Sequence, residues 1–296
     1  MEKFLWGKHW NKKKIIAKSK TMHVYIYDEF LAKRKYEGLL ANIETRITDL
    51  GMNGKIIRLG NMKNTISLLE NDLRQGIKTV VAVGDNGTVN KVLNKIIQQQ
   101  DLRGLNFGVP IGIIPIEKKN NSIAFSLGIK NEEDACAVLS ARRIEKLDLG
   151  KIENVNSSGQ KSFLKYFLSE ISVPGLGIRA EIDKKYSVEL LGNGELNVFN
   201  LSDQVLDKNQ KLNPQDGKME LVVKNKKSKK IGFSKQLEKS VFSFTNLVIT
   251  SYATGQPKET QKIHITIDHS LQTNLPVEIT ILKKKIDIIV GKNRSF

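Results

Sequence analysis

Lys78 to Ile97 read KTVVAVGDNGTVNKVLNKII, an apolar run that stops in a glycine-bearing polar turn and restarts with helical spacing. Thr79 to Val83 are small or β-branched, the composition of a buried strand. Gly84, Asp85, Asn86 and Gly87 are turn formers, Thr88 stands where a helix cap belongs, and Val89, Val92, Leu93 and Ile96 share one helical face. A strand that turns through glycine into a helix aims backbone N–H groups and the positive end of the helix dipole at a phosphate. The same pattern also serves as an ordinary βα turn in a parallel sheet.

Outward from this stretch, strand and helix patterns alternate from Met22 to about Leu139. Met22 to Tyr27 is strand-like, Leu31 to Leu50 has helical spacing that ends at Gly51, Lys55 to Leu59 reads as a strand and Thr65 to Arg74 as a helix. Ile111 to Pro115 is a further short strand, followed by a polar segment and a helix through Ala124 and Leu127. This alternation predicts a parallel sheet covered on both faces. Ligands of such sheets sit beyond the carboxyl ends of the strands, where Asp85 to Thr88 and Glu117 to Asn121 fall. After Arg142 come short β-branched runs separated by turn residues, among them Lys165 to Val173, Val241 to Thr250, Val277 to Leu282 and Ile286 to Val290, which predict an all-β sandwich or barrel. Lys224 to Lys230, KNKKSKK, fits a solvated hairpin tip, and without interleaved aromatics it carries no nucleic-acid recognition motif.

The chain has 296 residues, enough for two domains, and 48 Lys and Arg against 31 Asp and Glu give a net charge of +17. That field favours anionic partners, whether nucleotide, nucleic acid or acidic lipid, without choosing among them. The single cysteine, Cys136, excludes an internal disulfide and a cysteine-rich zinc site, and the four histidines are scattered. No apolar run reaches the length of a membrane span, and the first residues lack the apolar centre of a secretory signal, so a cytoplasmic location is expected. Residues 1–21 mix Phe4, Leu5, Trp6 and Trp10 with lysines, the composition of an anchor for an anionic membrane surface. A frayed basic tail or a helix packed on its own domain has that composition too.

The order of motifs resembles the diacylglycerol kinase catalytic-domain family, which includes bacterial lipid kinases and sphingosine kinases and is distantly similar to NAD kinases. Val80 to Ile96 is similar to that family's VVAVGGDGTVNEVVNGL, and Ile111 to Ile129 to its IGIIPLGTGNDFARSLGI. Ala141 to Ile152 looks like the lead into the family's β domain, and GLGIRA, ending at Ala180, keeps the glycines Gly175 and Gly177 of its NxAGxGxDA segment. Asp216, Gly217 and Met219 resemble its DDGxLxV, and His264 to Ser270 falls where it has an IDGE-type motif. The resemblance implies an α/β nucleotide-binding domain over 22–142, a β-sandwich domain over 143–282, and a C-terminal segment, 283–296, that rejoins the first. It also implies ATP and Mg²⁺ in the cleft between them, with a lipid hydroxyl attacking the γ-phosphate. Gly84, Asn86, Gly87, Thr88, Asn90, Lys118, Lys119 and Asn121 would then contact the nucleotide, and Asp216 would hold a structural Mg²⁺ or simply occupy an Asp-Gly turn.

The phosphate motifs are where the chain departs from the family. The second glycine and the aspartate of GGDGT become Asp85 and Asn86, and the glutamate that follows becomes Lys91. GTGND becomes Glu117 to Asn121 without a glycine, the NPxSG loop becomes YDEFLAKRK from Tyr27, and Asp268 is followed by His269 and Ser270 instead of glycine and glutamate. Loss of one positioned acid or base costs about 10² to 10⁴ in rate, or about 3–5 kcal/mol. The expectation is a lipid-kinase fold with weak or no phosphotransferase activity. An active kinase would need Asp85 or Asp268 to supply the missing carboxylate, and a third reading is a module that binds anionic membrane surfaces.

Overall fold

The computed structural model describes residues 22–59, 71–73, 77–103, 108–116, 120–155, 160–175, 177–190, 194–203, 211–225, 238–251 and 263–296. The leader, most of the helix expected over Thr65 to Arg74, Lys118, Lys119 and most of the Lys224 to Lys230 loop lie outside the described residues. Among those described, no helix is long and apolar enough to cross a membrane.

The first part is a parallel sheet in the order β2-β1-β3-β4, built from β1 (His23–Tyr27), β2 (Gly54–Arg58), β3 (Thr79–Gly84) and β4 (Ile111–Pro115). All residues of β1, β3 and β4 are buried, as their largely apolar sequences require of strands covered on both faces. Helix α1 (Glu37–Asp49) packs against helix α4 (Glu132–Ala141), while α2 (Asn86–Arg103) packs on β3. Right-handed crossovers place α1 and α2 on opposite faces, because β1 to β2 and β3 to β4 step in opposite directions along the sheet. The helix expected from Leu31 begins later: Glu29–Ala32 and Arg34–Tyr36 are 3-10 turns, separated at Lys33 by extended backbone (φ −72°, ψ 137°), before α1 starts.

The second part is antiparallel. β16 (Val277–Ile289) carries the parallel sheet onward: Ile288 pairs with Ile111 of β4, while Val277 to Thr280 pair with β13 (Asn246–Ser251). β5 (Ile144–Val155), β6 (Lys161–Phe167), β8 (Ile178–Ile182) and β9 (Tyr186–Leu190) complete this ten-stranded sheet. A second sheet of six strands, β12-β11-β10-β7-β14-β15, comprises β7 (Glu170–Gly175), β10 (Gly194–Phe199), β11 (Met219–Asn225), β12 (Glu238–Phe244), β14 (His264–Ile267) and β15 (Leu271–Asn274). Residues of both sheets share one core, among them Phe167, Ile249 and Ile279 from the first and Ile171, Leu221 and Ile265 from the second.

Four runs read as units are partitioned differently in space. Lys165 to Val173 breaks into β6 and β7 in different sheets, and Val241 to Thr250 breaks into β12 and β13 in the same way. The two runs from Val277 to Val290 form instead one strand, β16, with an irregularity between Leu282 and Ile286. A buried or partly buried carboxylate stands at each place. Asp268 accepts the N–H groups of Leu168, Ser169 and Glu170 at 2.9, 2.8 and 2.8 Å. Asp183 accepts those of Thr245 and Asn246 at 3.0 and 2.8 Å. Asp148 accepts from Lys284 N at 2.7 Å and Gly217 N at 2.6 Å.

Candidate functional site at the β3–α2 turn

The carboxyl ends of β1, β3 and β4 bring three of the motifs together. Asp28 N donates to Val83 O at 3.1 Å, Ile116 N to Gly84 O at 2.8 Å, and Asn86 N to Asn120 O at 2.9 Å. Gly84 turns with φ +155°, and a Cβ there would lie 2.1 Å from Thr88 Oγ1, so no other residue fits. The fourth motif arrives from the other part of the chain: Asn90 Nδ2 donates to Ser270 Oγ at 3.3 Å, and Ser270 Cβ lies 3.4 Å from where a Gly87 Cβ would be.

The N-terminus of α2 is capped from within. Thr88 N donates to Asp85 Oδ1 at 3.0 Å and Asp85 N donates to Thr88 Oγ1 at 3.2 Å, a reciprocal cap. Val89 N completes the first helical turn on Asp85 O at 3.1 Å. Thr88, fully buried, donates its hydroxyl to Asp28 Oδ2 at 2.9 Å, and Lys91 Nζ pairs with the same oxygen at 3.0 Å. Burial pushes the Asp28 carboxyl up, but the hydrogen bonds from Lys91 and Thr88, the Lys91 charge and the Phe30 N–H outweigh it and hold it below the usual carboxylate range. Among the described residues, two carboxylates against one ammonium leave this helix end with one net negative charge.

Asn86 is buried and spent: its Nδ2 donates to Ser122 Oγ at 2.9 Å and its Oδ1 accepts from Ile123 N at 3.2 Å, capping the short helix α3 (Ser122–Ser126). Asn121, also buried, donates to Ile116 O at 3.2 Å. Asn90 holds Ser270 and accepts from Asn94, whose own amide exchanges hydrogen bonds with the backbone of Tyr166 at 2.8 and 2.9 Å. That exchange fixes α2 against β6.

Asp268 is fully buried, and its two oxygens face the 168–170 corner rather than the β3–α2 turn. Burial raises its pKa to about 6 against the pull of the three N–H groups. Beside it, His269 Nε2 meets Glu170 Oε1 at 2.8 Å, a contact that raises the imidazole pKa against the opposing effect of burial. Asp216 accepts from Lys218 N at 2.9 Å within its own turn. No group of three or more acids, histidines or cysteines suited to a metal exists among the described residues.

An ATP phosphate with Mg²⁺ needs free N–H donors, room and acidic metal ligands at the helix end. The described residues do not fit that group: the N–H groups of Asp85, Asn86, Thr88 and Val89 donate internally and leave only that of Gly87, and Asp28 and Asp85 place negative charge where phosphate would come. Sequence reading passed over the Asp28–Lys91 pair. Its signal was the arrival of opposite charges in two motifs that depart from the family together.

Residues 23–152 match the diacylglycerol kinase catalytic domain. No curated protein sequence matches significantly. Among solved structures, a diacylglycerol kinase from Bacillus anthracis str. Sterne is similar with a TM-score of 0.66 at 14% identity, over 93% of this chain and 98% of that one. Yeast NADH kinase complexed with NADH is similar with a TM-score of 0.57 at 9% identity, over 93% of this chain and 85% of that one. Residues 23–152 of this chain thus match the diacylglycerol kinase catalytic domain, within a fold shared with bacterial diacylglycerol kinases and, more distantly, NADH kinase.

Proposed function

We propose that this chain is a diacylglycerol-kinase-like protein with weak or no phosphotransferase activity, a pseudokinase whose phosphate position is held by its own carboxylates. The observation that carries this reading is the self-capped end of α2, where Asp85 and Asp28 take the Thr88 donors and, among the described residues, Lys91 neutralises only one of the two acids. A phosphate charge about 4 Å from an unneutralised carboxylate meets a repulsion of about 1–4 kcal/mol, between bulk water and a protein surface. Asn86 in place of an aspartate is neutral and committed to α3, and Ser270 stands where the family has glutamate. Asp85 and Asp268 each have a structural use that an active kinase would have to give up.

The purified chain, given ATP, Mg²⁺ and diacylglycerol, is expected to form no phosphatidic acid above a control without protein. Robust turnover overturns the proposal and favours a rearranged active kinase. Calorimetric titration with Mg·ATP separates the remaining cases: silence means that the cleft has lost its nucleotide, and binding without turnover means a nucleotide-binding pseudokinase. The charge of +17 supports a second role at anionic membrane surfaces from a cytoplasmic location. Flotation with anionic vesicles, with and without residues 1–21, tests that role.

A further inference from the structure

On the sheet face that carries α1 and α4, away from the α2 N-terminus, a groove of about 340 Å³ runs between α4 and the C-terminal segment. Val138 and Val290 form part of its floor, and Lys130, Arg143 and Lys292 line it with exposed side chains. None of these three cations is in an ion pair among the described residues. The acids nearby in the chain are taken: Glu145 pairs with Arg294 at 3.0 Å and Asp287 with Lys146 at 2.8 Å. The groove's own acid, Asp134, is turned to backbone, accepting from Lys130 N at 3.0 Å.

The walls are preformed. Val290 N donates to Arg143 O at 2.9 Å, Gly291 N to Leu127 O at 2.8 Å and Ser295 N to Ser126 O at 2.9 Å. Gly128 and Gly291 meet backbone to backbone, since a Cβ on Gly291 would sit 2.1 Å from Gly128 O. A site whose backbone is pinned in this way loses little conformational entropy when it is filled.

We propose that this groove binds a soluble organic phosphate monoester with a compact apolar body. Three cations against one carboxylate leave two net positive charges, which matches a phosphate monoester near its dianionic form and exceeds what a monocarboxylate neutralises. The volume lies at the small end for ligand pockets and holds one ring or short chain, not a pair of acyl chains. This inference is independent of the pseudokinase reading, because it uses no residue of the β3–α2 turn.

Titration of the full chain with phenyl phosphate, inorganic phosphate and phenol tests it, read by calorimetry and by amide shifts of residues 128–143 and 290–293. Phenyl phosphate is expected to saturate at millimolar concentration or below and to bind at least about tenfold tighter than either of its parts, since charge and apolar contact both contribute. Lys130→Gln, Arg143→Gln and Lys292→Gln are exposed changes that leave the thermal midpoint in place, and together they should weaken binding at least about tenfold. Lys91→Gln, at the other site, should leave it unchanged. No saturable binding of phenyl phosphate, affinity equal to that of inorganic phosphate, indifference to the three substitutions, or retention only on vesicles bearing a phosphomonoester lipid would each overturn the proposal.

Discussion

His23 starts β1 buried, stacked on Tyr25, with its Nδ1 lacking a hydrogen-bond partner among the described residues. Burial, and then the charges of Lys78 and Arg142, push its pKa from 6.5 down to about 4. The unfolded chain therefore binds a proton near pH 6.5 that the folded chain refuses until about pH 4, so stability is lost as pH falls through that window. At pH 4.5 the loss from this residue is about 2–3 kcal/mol. His23→Phe should retain the stacking and remove this part of the acid sensitivity, seen as a smaller drop in urea midpoint between pH 7.5 and pH 4.5. An equal drop in both proteins would mean that His23 is not the responsible group. His269 has the opposite sign: its raised pKa makes its pairing with Glu170 favourable below pH 6.5 and lost as pH rises through the folded value. The imidazole is about half exposed, so that pair contributes little to stability.

At the scale of elements, strands change sheets where carboxylates gather backbone N–H groups. The corner between β6 and β7 leaves the N–H groups of Leu168, Ser169 and Glu170 without ladder partners, and Asp268 takes all three. Asp268 and His269 sit at φ 44° and 56°, a left-handed turn that brings the carboxylate back beneath the corner. Asp268→Ala strands these donors in the core and should cost about 3–5 kcal/mol. Asp268→Asn keeps one acceptor oxygen and should cost clearly less, as read by denaturant midpoints. If the two variants lose the same stability, the N–H contacts are not what the carboxylate provides. Asp85 and Thr88 do the same work at the start of α2, where the donors they absorb are those a phosphate would need.

At the scale of the whole molecule, β16 belongs to both parts. Its first residues pair with β13 and its last reach β4, while β5 runs beside it from Ile144 to Asn154. One hydrogen-bonded sheet thus passes from the parallel to the antiparallel half, and α2 is tied to β6 by Asn94 and to the β14–β15 turn by Asn90. Neither half can unfold without exposing that shared strand. Calorimetry should therefore show one transition with equal calorimetric and van't Hoff enthalpies. Two resolved transitions would show that the shared strand does not couple the halves.

The sequence by itself determined the strands of the parallel half and the change to antiparallel structure after Arg142. Periodicity and turn residues are local properties, and the buried runs Val80 to Val83 and Ile111 to Ile114 state them without ambiguity. It also determined which motifs had lost their glycines and acids. Only the tertiary structure decided where those changes lead. Asp28 and Lys91 are 63 positions apart, and Leu168 and Asp268 are 100 apart, so neither contact leaves a local pattern. Whether a carboxylate is a catalyst or a cap depends on which donors surround it, and that is set by packing across the sheet rather than by its neighbours in the chain.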